Sequence, residues 1–390
     1  MDYEGKILLD LGLMLVAALV GGAIFERMKL PGVIGMVLAG IFLSPFTPGY
    51  SIDVTEISFF ATLGAILLMF VLGLQFDHKS LGKQGLRAFL VAGFACSITF
   101  IAGYLLGLFI GWGNSESLIL GALFVPTSTT ISLKLLERLK INERAHSDML
   151  KAAIVIDDFY GFMAFAIVSG QIGLSSSSGT HVLSSAFDAV VFSLIIFVVG
   201  IKVVPKLFDL SEKFYPHSSL ALGTAICLIV SYAVAIFDLS MLIGAFLAGT
   251  ILTSSIRSKE VLVAIEPMRN LFGSIFFISV GLLLDPGLIA PIAAVAVLIS
   301  LVAIFSKAAA FFAYFRTANL NFEDSAKLSL ATGPRGEVLL IIAQSAVIAG
   351  VGGSLLLAIA TSVVILTSIS SPILLYLSRS KYVRQLLSPL

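Results

Sequence analysis

The chain has 390 residues, 58% of them hydrophobic and only 12% charged, with a formal net charge of +1. A soluble domain carries about 25% charged residues, so this composition excludes a soluble enzyme and gives no sign of a nucleic-acid partner. The apolar runs are roughly 20 residues long rather than ten-residue alternating strands, which excludes a β-barrel and predicts an all-α polytopic membrane protein.

Thirteen spanning segments are predicted, with limits near 7–26, 32–46, 57–76, 88–111, 117–138, 150–173, 182–207, 219–236, 239–256, 270–284, 287–315, 324–349 and 354–378. The leader from Met1 to Lys6 is not clearly basic and no A-x-A-like cleavage site follows the first run, so that run is read as a retained helix rather than a signal peptide. No connection is long enough to separate soluble domains; the longest polar one is the basic loop from Lys140 to Lys151. If the count is thirteen, connections on one side carry 21 of the 24 Lys and Arg residues and those on the other carry none. The remaining three are Lys6 at the terminus and Lys307 and Arg335 inside segments. The positive-inside rule then places the C-terminus in the cytoplasm and the N-terminus outside.

The second and third segments have counterparts further along. The stretch from Val33 to Ser44 resembles that from Leu242 to Thr253, and Leu63 to Asp77 resembles Leu271 to Asp285, at offsets of 209 and 208 residues. An odd number of segments separates the copies, so they have opposite orientation, the inverted repeat common in secondary transporters. Cys96 and Cys227, in the fourth and eighth segments, read as small core hydrophobes. His78, His146, His181 and His217 fall in connections without ligand spacing, so no resident metal, disulfide framework or cofactor is implied.

The fifth and twelfth segments are partners on the repeat scheme, and both carry a helix breaker near the middle. In the fifth it is Val125, Pro126, Thr127, Ser128, Thr129 and Thr130; in the twelfth it is Thr332, Gly333, Pro334, Arg335, Gly336 and Glu337. Pro removes a backbone donor and Gly loosens the helix. Interrupted segments at matched positions point to a transporter's binding site, where half-helix ends offer dipoles and hydroxyls offer ion ligands.

The sixth segment holds Asp157 and Asp158 side by side in an otherwise apolar run. An ionised carboxylate inside a membrane helix costs roughly 2.5–3.5 kcal/mol on insertion scales, so the pair reads as an ion or proton site. Measured along each helix from its basic flank, Asp157, Asp158, Lys307, Arg335, Glu337 and the hydroxyls of residues 127–130 lie at similar depths, roughly 6–15 Å. Neighbouring helical positions differ by about 100°, so the two carboxylates face different ways. One is expected to face a cation cavity and the other to pair with Lys307, which lowers the burial cost of both. Snorkelling of Lys307 to the cytoplasmic face, and an Arg335–Glu337 pair that holds the broken helix together, are the structural alternatives.

At these residues the chain resembles the monovalent cation/proton antiporter superfamily, second cation:proton antiporter (CPA2) branch, and is similar to the NapA and NhaA type of sodium/proton antiporter. The resemblance runs from the first helix to the last and rests on Ile156-Asp157-Asp158, Thr127-Ser128, Lys307 and the run from Pro334 to Val338. It implies that Asp158 binds the transported Na⁺ and the proton, that Asp157 is the second carboxylate and pairs with Lys307 when the site is empty, and that Ser128 and Thr127 line the site. Pro126, Thr129, Thr130, Pro334, Arg335 and Glu337 would support the broken helices. It further implies a prokaryotic inner or plasma membrane setting, a homodimer, and elevator-like motion of a core bundle (about 57–173 and 270–378) against scaffold helices (about 7–46 and 219–256), joined by a linker helix (about 182–207). The double aspartate with a lysine implies electrogenic exchange, more than one proton per Na⁺ or Li⁺.

Potassium/proton exchangers of the Kef type compete with this reading. They usually carry Gln where this chain has Asp157, and a nucleotide-binding domain after the last helix, where this sequence stops at Leu390. A sodium-coupled organic-solute carrier and a cation channel are more distant alternatives. An intramembrane aspartyl protease is excluded because adjacent aspartates on one helix cannot face each other across a peptide.

Overall fold

The computed structural model describes residues 3–28, 30–47, 52, 54–75, 85–139, 144–173, 182–215, 218–236 and 240–377. Several basic residues of the connections, including Lys29, Lys79, Lys83, Lys140, Lys381 and Arg384, lie outside the described residues, as do His78, His181, His217 and the loop 175–178. The described residues are all-helical, with no strand among them: α1 (Tyr3–Arg27), α2 (Gly32–Phe42), α3 (Val54–Gln75), α4 (Gly85–Phe109), α5 (Asn114–Phe124), α6 (Thr129–Arg138), α7 (Arg144–Gly173), α8 (Val182–Phe214), α9 (Ser219–Ala235), α10 (Met241–Leu252), α11 (Ser258–Leu282), α12 (Ile289–Thr317), α13 (Phe322–Leu330), α14 (Glu337–Ile348) and α15 (Gly353–Leu377). A 3-10 turn, Pro286–Leu288, leads into α12.

Seven stretches among the described residues are long and apolar enough to cross a bilayer, from Glu4–Arg27 to Gly353–Tyr376. One of them, Asn114–Glu137, contains the interruption between α5 and α6. Most limits lie within a few residues of the expected ones. The exceptions are α7, which begins at Arg144, ahead of 150, α8, which runs on to Phe214, past 207, and α11, which begins at Ser258, well ahead of 270. The early part of α11 is polar, and hydropathy does not reveal it. Arg257 pairs with Glu260 at 3.2 Å and Arg269 with Glu266 at 3.5 Å, both at the i,i+3 spacing that supports an exposed helical turn.

The chain divides into two compact units. The first holds residues 1–21, 35–80 and 166–283; the second holds 22–34, 81–165 and 284–390. Segments 57–76 and 270–284, expected with the core bundle, make their contacts in the first unit, where α3 packs on α10 and α11.

The first unit is apolar where its helices cross. Met14, Ala18, Ile57, Ile275, Ile278 and Leu282 form one buried cluster. The close approaches are made by glycine. A Cβ on Gly40 would strike the carbonyl of Ile278, and one on Gly281 the carbonyl of Val37. A Cβ on Gly73 would strike the carbonyl of Phe246, and one on Gly249 that of Phe70. These two crossings correspond in the aligned stretches, where Gly40 matches Gly249 and Gly73 matches Gly281. Gly64, whose Cβ would meet the carbonyl of Phe272, sits against its own aligned counterpart.

The second unit packs α4 on α5 and α12, α12 on α13 and α15, and α14 on α15 and α5. It also contains both helix interruptions. The chain is non-helical between Phe124 and Thr129, and again from Ala331 to Gly336. Pro126 and Pro334 lack the N–H that would continue the ladder. Gly161 on α7 lies against the Pro126 ring, with a Cβ there coming within 3.1 Å, so the first break rests directly on the aspartate helix.

Candidate functional site

The two breaks meet. Ser128 N–H donates to the carbonyl of Pro334 at 2.8 Å, and the Arg335 guanidinium donates back to the carbonyl of Pro126 at 3.2 Å. Helix ends leave carbonyls and N–H groups without intrahelical partners, and here each break supplies what the other lacks. Pro126 and Pro334 are 208 residues apart, the same register as the repeat in the third segment, a correspondence that extends the pattern to the site. Arg335 is fully buried. It also donates to Thr127 Oγ1 at 3.2 Å and to the carbonyl of Ala303 on α12 at 2.5 Å, and its own N–H is held by Thr367 Oγ1 at 3.0 Å.

No ion pair joins Arg335 to Glu337 among the described residues, which corrects the expectation that the two hold the break together. The guanidinium turns instead to the Pro126 carbonyl of the first break and to the Ala303 carbonyl of α12. Glu337 opens α14 and faces a cavity of about 890 Å³, lined also by Glu26, Ser128, Thr130, Lys134 and Ser368. Thr130 is exposed there.

The carboxylates of α7 point to different partners, as the 100° step requires. Asp157 is fully buried and Lys307 Nζ lies 2.7 Å from its Oδ2, with Lys307 itself fully buried. Lys307 does not snorkel; its ammonium also donates to the carbonyl of Val125 in the first break. Thr127 Oγ1 donates to Asp157 Oδ2 at 3.0 Å. The Cys96 thiol of α4 donates to Asp157 Oδ1 at 3.2 Å, and Lys307 Nζ lies 3.8 Å from that sulfur. Every oxygen of Asp157 therefore has a donor.

Asp158 is different. It is 3% exposed, and Thr129 Oγ1 donates to its Oδ2 at 3.0 Å. Its Oδ1 is buried and has no hydrogen-bond partner. A buried, bare carboxylate oxygen is costly unless something binds it, and oxygen donors of this kind suit a hard cation or a proton.

Of the residues expected at the site, the structure brings Asp157, Thr127 and Lys307 into one cluster with Arg335, and Asp158 against Thr129. Thr129, expected only as support, is the hydroxyl that touches Asp158. Ser128 bonds the second break through its backbone and lines the cavity. The sequence reading missed Cys96. A thiol in an apolar helix has no local signature, and its partner lies 61 residues away.

A family model described as "Sodium/hydrogen exchanger, transmembrane" matches residues 14–376 of the chain. The protein belongs to this sodium/hydrogen exchanger family. The exchanger is 28% identical over 383 residues to the Na⁺/H⁺ antiporter of Enterococcus hirae, covering 95% of this chain and 97% of the relative. It is also 28% identical to the Na⁺/H⁺-K⁺ antiporter GerN of Bacillus cereus, covering 95% of each. In fold it is similar to the sodium proton antiporter MjNhaP1 of Methanocaldococcus jannaschii, with a TM-score of 0.74 and 19% identity, covering 97% of this chain and 99% of that one. The exchanger is accordingly an integral membrane protein and a cation/proton antiporter rather than an enzyme.

Proposed function

We propose that this exchanger carries Na⁺ or Li⁺ against protons by competition at Asp158. The observation that carries the reading is the asymmetry of the two carboxylates: Asp157 is bonded by three side chains, whereas Asp158 holds a buried oxygen with no partner. A carboxylate binds a proton or a metal cation, not both, so one site exposed alternately to the two sides couples the fluxes. The half-saturating sodium concentration should therefore rise as pH falls, because protons occupy the same oxygens.

Lys307 makes the exchange electrogenic on this reading. A cation that draws on Asp157 must displace the lysine ammonium, which then releases a proton of its own, so more than one proton moves per cation. The reading is supported by the meeting of the two breaks and by the corresponding glycine crossings, both expected of an inverted repeat built from thirteen segments. All the candidate site residues fall in the second unit and none in the first. That division suits an elevator in which the site-bearing unit moves and a scaffold, paired in a homodimer, does not.

Proteoliposomes with an internal pH dye test the reading. Na⁺, Li⁺ and K⁺ are titrated separately, with and without a clamped membrane potential. A sodium- or lithium-evoked signal that responds to the potential and is lost in Asp158→Asn supports it. A response to potassium alone would move the chain to potassium/proton exchange, a reading favoured by the potassium in GerN's name. Silence with every cation would return the organic-solute carrier to the front.

A further inference from the structure

Cys96 lies against both members of the buried ion pair. The thiol donates to Asp157 Oδ1 at 3.2 Å, and Lys307 Nζ approaches the sulfur at 3.8 Å. Lys307 also pairs with the other carboxylate oxygen, Oδ2, at 2.7 Å. The ammonium, the sulfur and the carboxylate thus close a ring in which Cys96 bridges lysine to aspartate. Thr127 cannot take over this task, because its hydroxyl is committed to Oδ2 and accepts from Arg335. Cys96 is 4% exposed, and α4 packs on α12, the helix of Lys307.

We propose that Cys96 is a positioning residue for exchange: with Thr127 and Lys307 it fixes the Asp157 carboxylate in its lysine-paired orientation and so sets how readily a cation draws on Asp157. The inference rests on the exchange reading above and deepens it. Loss of the thiol has two consequences of the same sign. Oδ1 is left bare, and the pair with Lys307 loses its bridge. Both favour the cation over the lysine. A donor with equivalent hydrogen-bonding capacity should restore the native balance, whereas an apolar group of either smaller or larger volume should not.

The test is sodium-driven proton flux of the full chain in proteoliposomes, comparing wild type with Cys96→Ala, Cys96→Val and Cys96→Ser. The half-saturating sodium concentration is expected to fall about fivefold in the alanine and valine variants, the net effect of one ordinary hydrogen bond, a thiol being a weak donor. The maximal rate should change less, and the serine variant should lie within about twofold of wild type. Wild-type half-saturation in both apolar variants overturns the proposal. So does a serine variant that shifts with them, or opposite shifts in alanine and valine, since either pattern belongs to packing volume. An infrared spectrum supplies a readout that does not need transport. In a Cys227→Ala background the S–H stretch of Cys96 should lie below that of a free thiol and move up in Asp157→Asn. An unshifted band overturns the thiol–carboxylate bond whatever the flux. A wild-type protein with no sodium-evoked flux but a shifted band defeats the exchange reading and leaves the Cys96 geometry standing.

Discussion

The glycine crossings of the first unit and the broken crossing of the second solve the same problem in opposite ways. In each, helix backbones approach closely. In the first unit the helices stay intact and glycine removes the side chain at the crossing, so Gly73 meets the carbonyl of Phe246 and Gly40 that of Ile278 without a polar side chain between them. In the second unit the helices open at Pro126 and Pro334, and the freed backbone groups are taken up by each other and by buried charge. A glycine crossing satisfies every backbone group within its own helix and is a packing device. A broken crossing leaves groups that need partners, and those partners, Lys307 and Arg335, bring buried charge to the break beside the two aspartates.

The largest expected break in this comparison is Asp158→Asn. The amide keeps the size of the carboxylate and loses its charge, so the second unit should fold and pack as before while cation-evoked proton flux falls to that of empty liposomes. Thermal unfolding in detergent alongside the flux assay checks both halves. If Asp158→Asn transports normally, the bare oxygen of Asp158 is not the exchange site. Next in size is Lys307→Ala, which strands Asp157 as an uncompensated buried charge. Removing one member of a buried pair costs about 3–5 kcal/mol. The double change Asp157→Asn with Lys307→Gln should recover most of that stability, since no lone charge remains. It should not recover the response of flux to membrane potential.

Much of this contrast is legible in the sequence. Asp157, Asp158, Lys307 and Arg335 stand out because charge in an apolar segment is expensive, and the breaks stand out because Pro and Gly interrupt the helix. What the sequence hides is which donor meets which acceptor. Arg335 and Glu337 are two residues apart and look like a pair, yet the guanidinium turns to Pro126 and Ala303 and the carboxylate to the cavity. Cys96 gives no local sign, because a thiol is as apolar as its neighbours until an acceptor is placed beside it. The polar start of α11 is hidden for another reason. Hydropathy registers the membrane-length stretch and not the charged turns from Ser258 to Arg269 that continue the same helix.

Thr129 and Thr130 offer a sharper, smaller test of the site, because they are neighbours with unequal surroundings. Thr129→Val keeps the shape and removes the donor to Asp158 Oδ2. The loss of a hydrogen bond to a charged group should lower stability by about 1.5–3 kcal/mol. Thr130 is exposed at the cavity, so Thr130→Val should be close to neutral. Unfolding midpoints for the two variants, with Thr129→Ser as the rescue, decide it. Equal effects at the two positions would show that the hydroxyl at 129 is not held by Asp158.

The smallest effects, and the most exacting comparison, belong to the glycines. Gly40→Ala and Gly249→Ala each drive a methyl into a backbone carbonyl on the facing helix, and overpacking of this kind costs about 1–3 kcal/mol. If the stretches around them are copies of one inverted unit, the two changes meet the same surroundings and their costs should be similar. Both belong to the first unit and the candidate site residues to the second, so the half-saturating cation concentration should stay at the wild-type value. Costs that differ widely would mean that the correspondence of Gly40 with Gly249 is a coincidence of small residues in apolar helices. A shift in cation affinity would mean that the packing of the first unit bears on the ion site after all, and that the separation of packing from chemistry between the two units is incomplete.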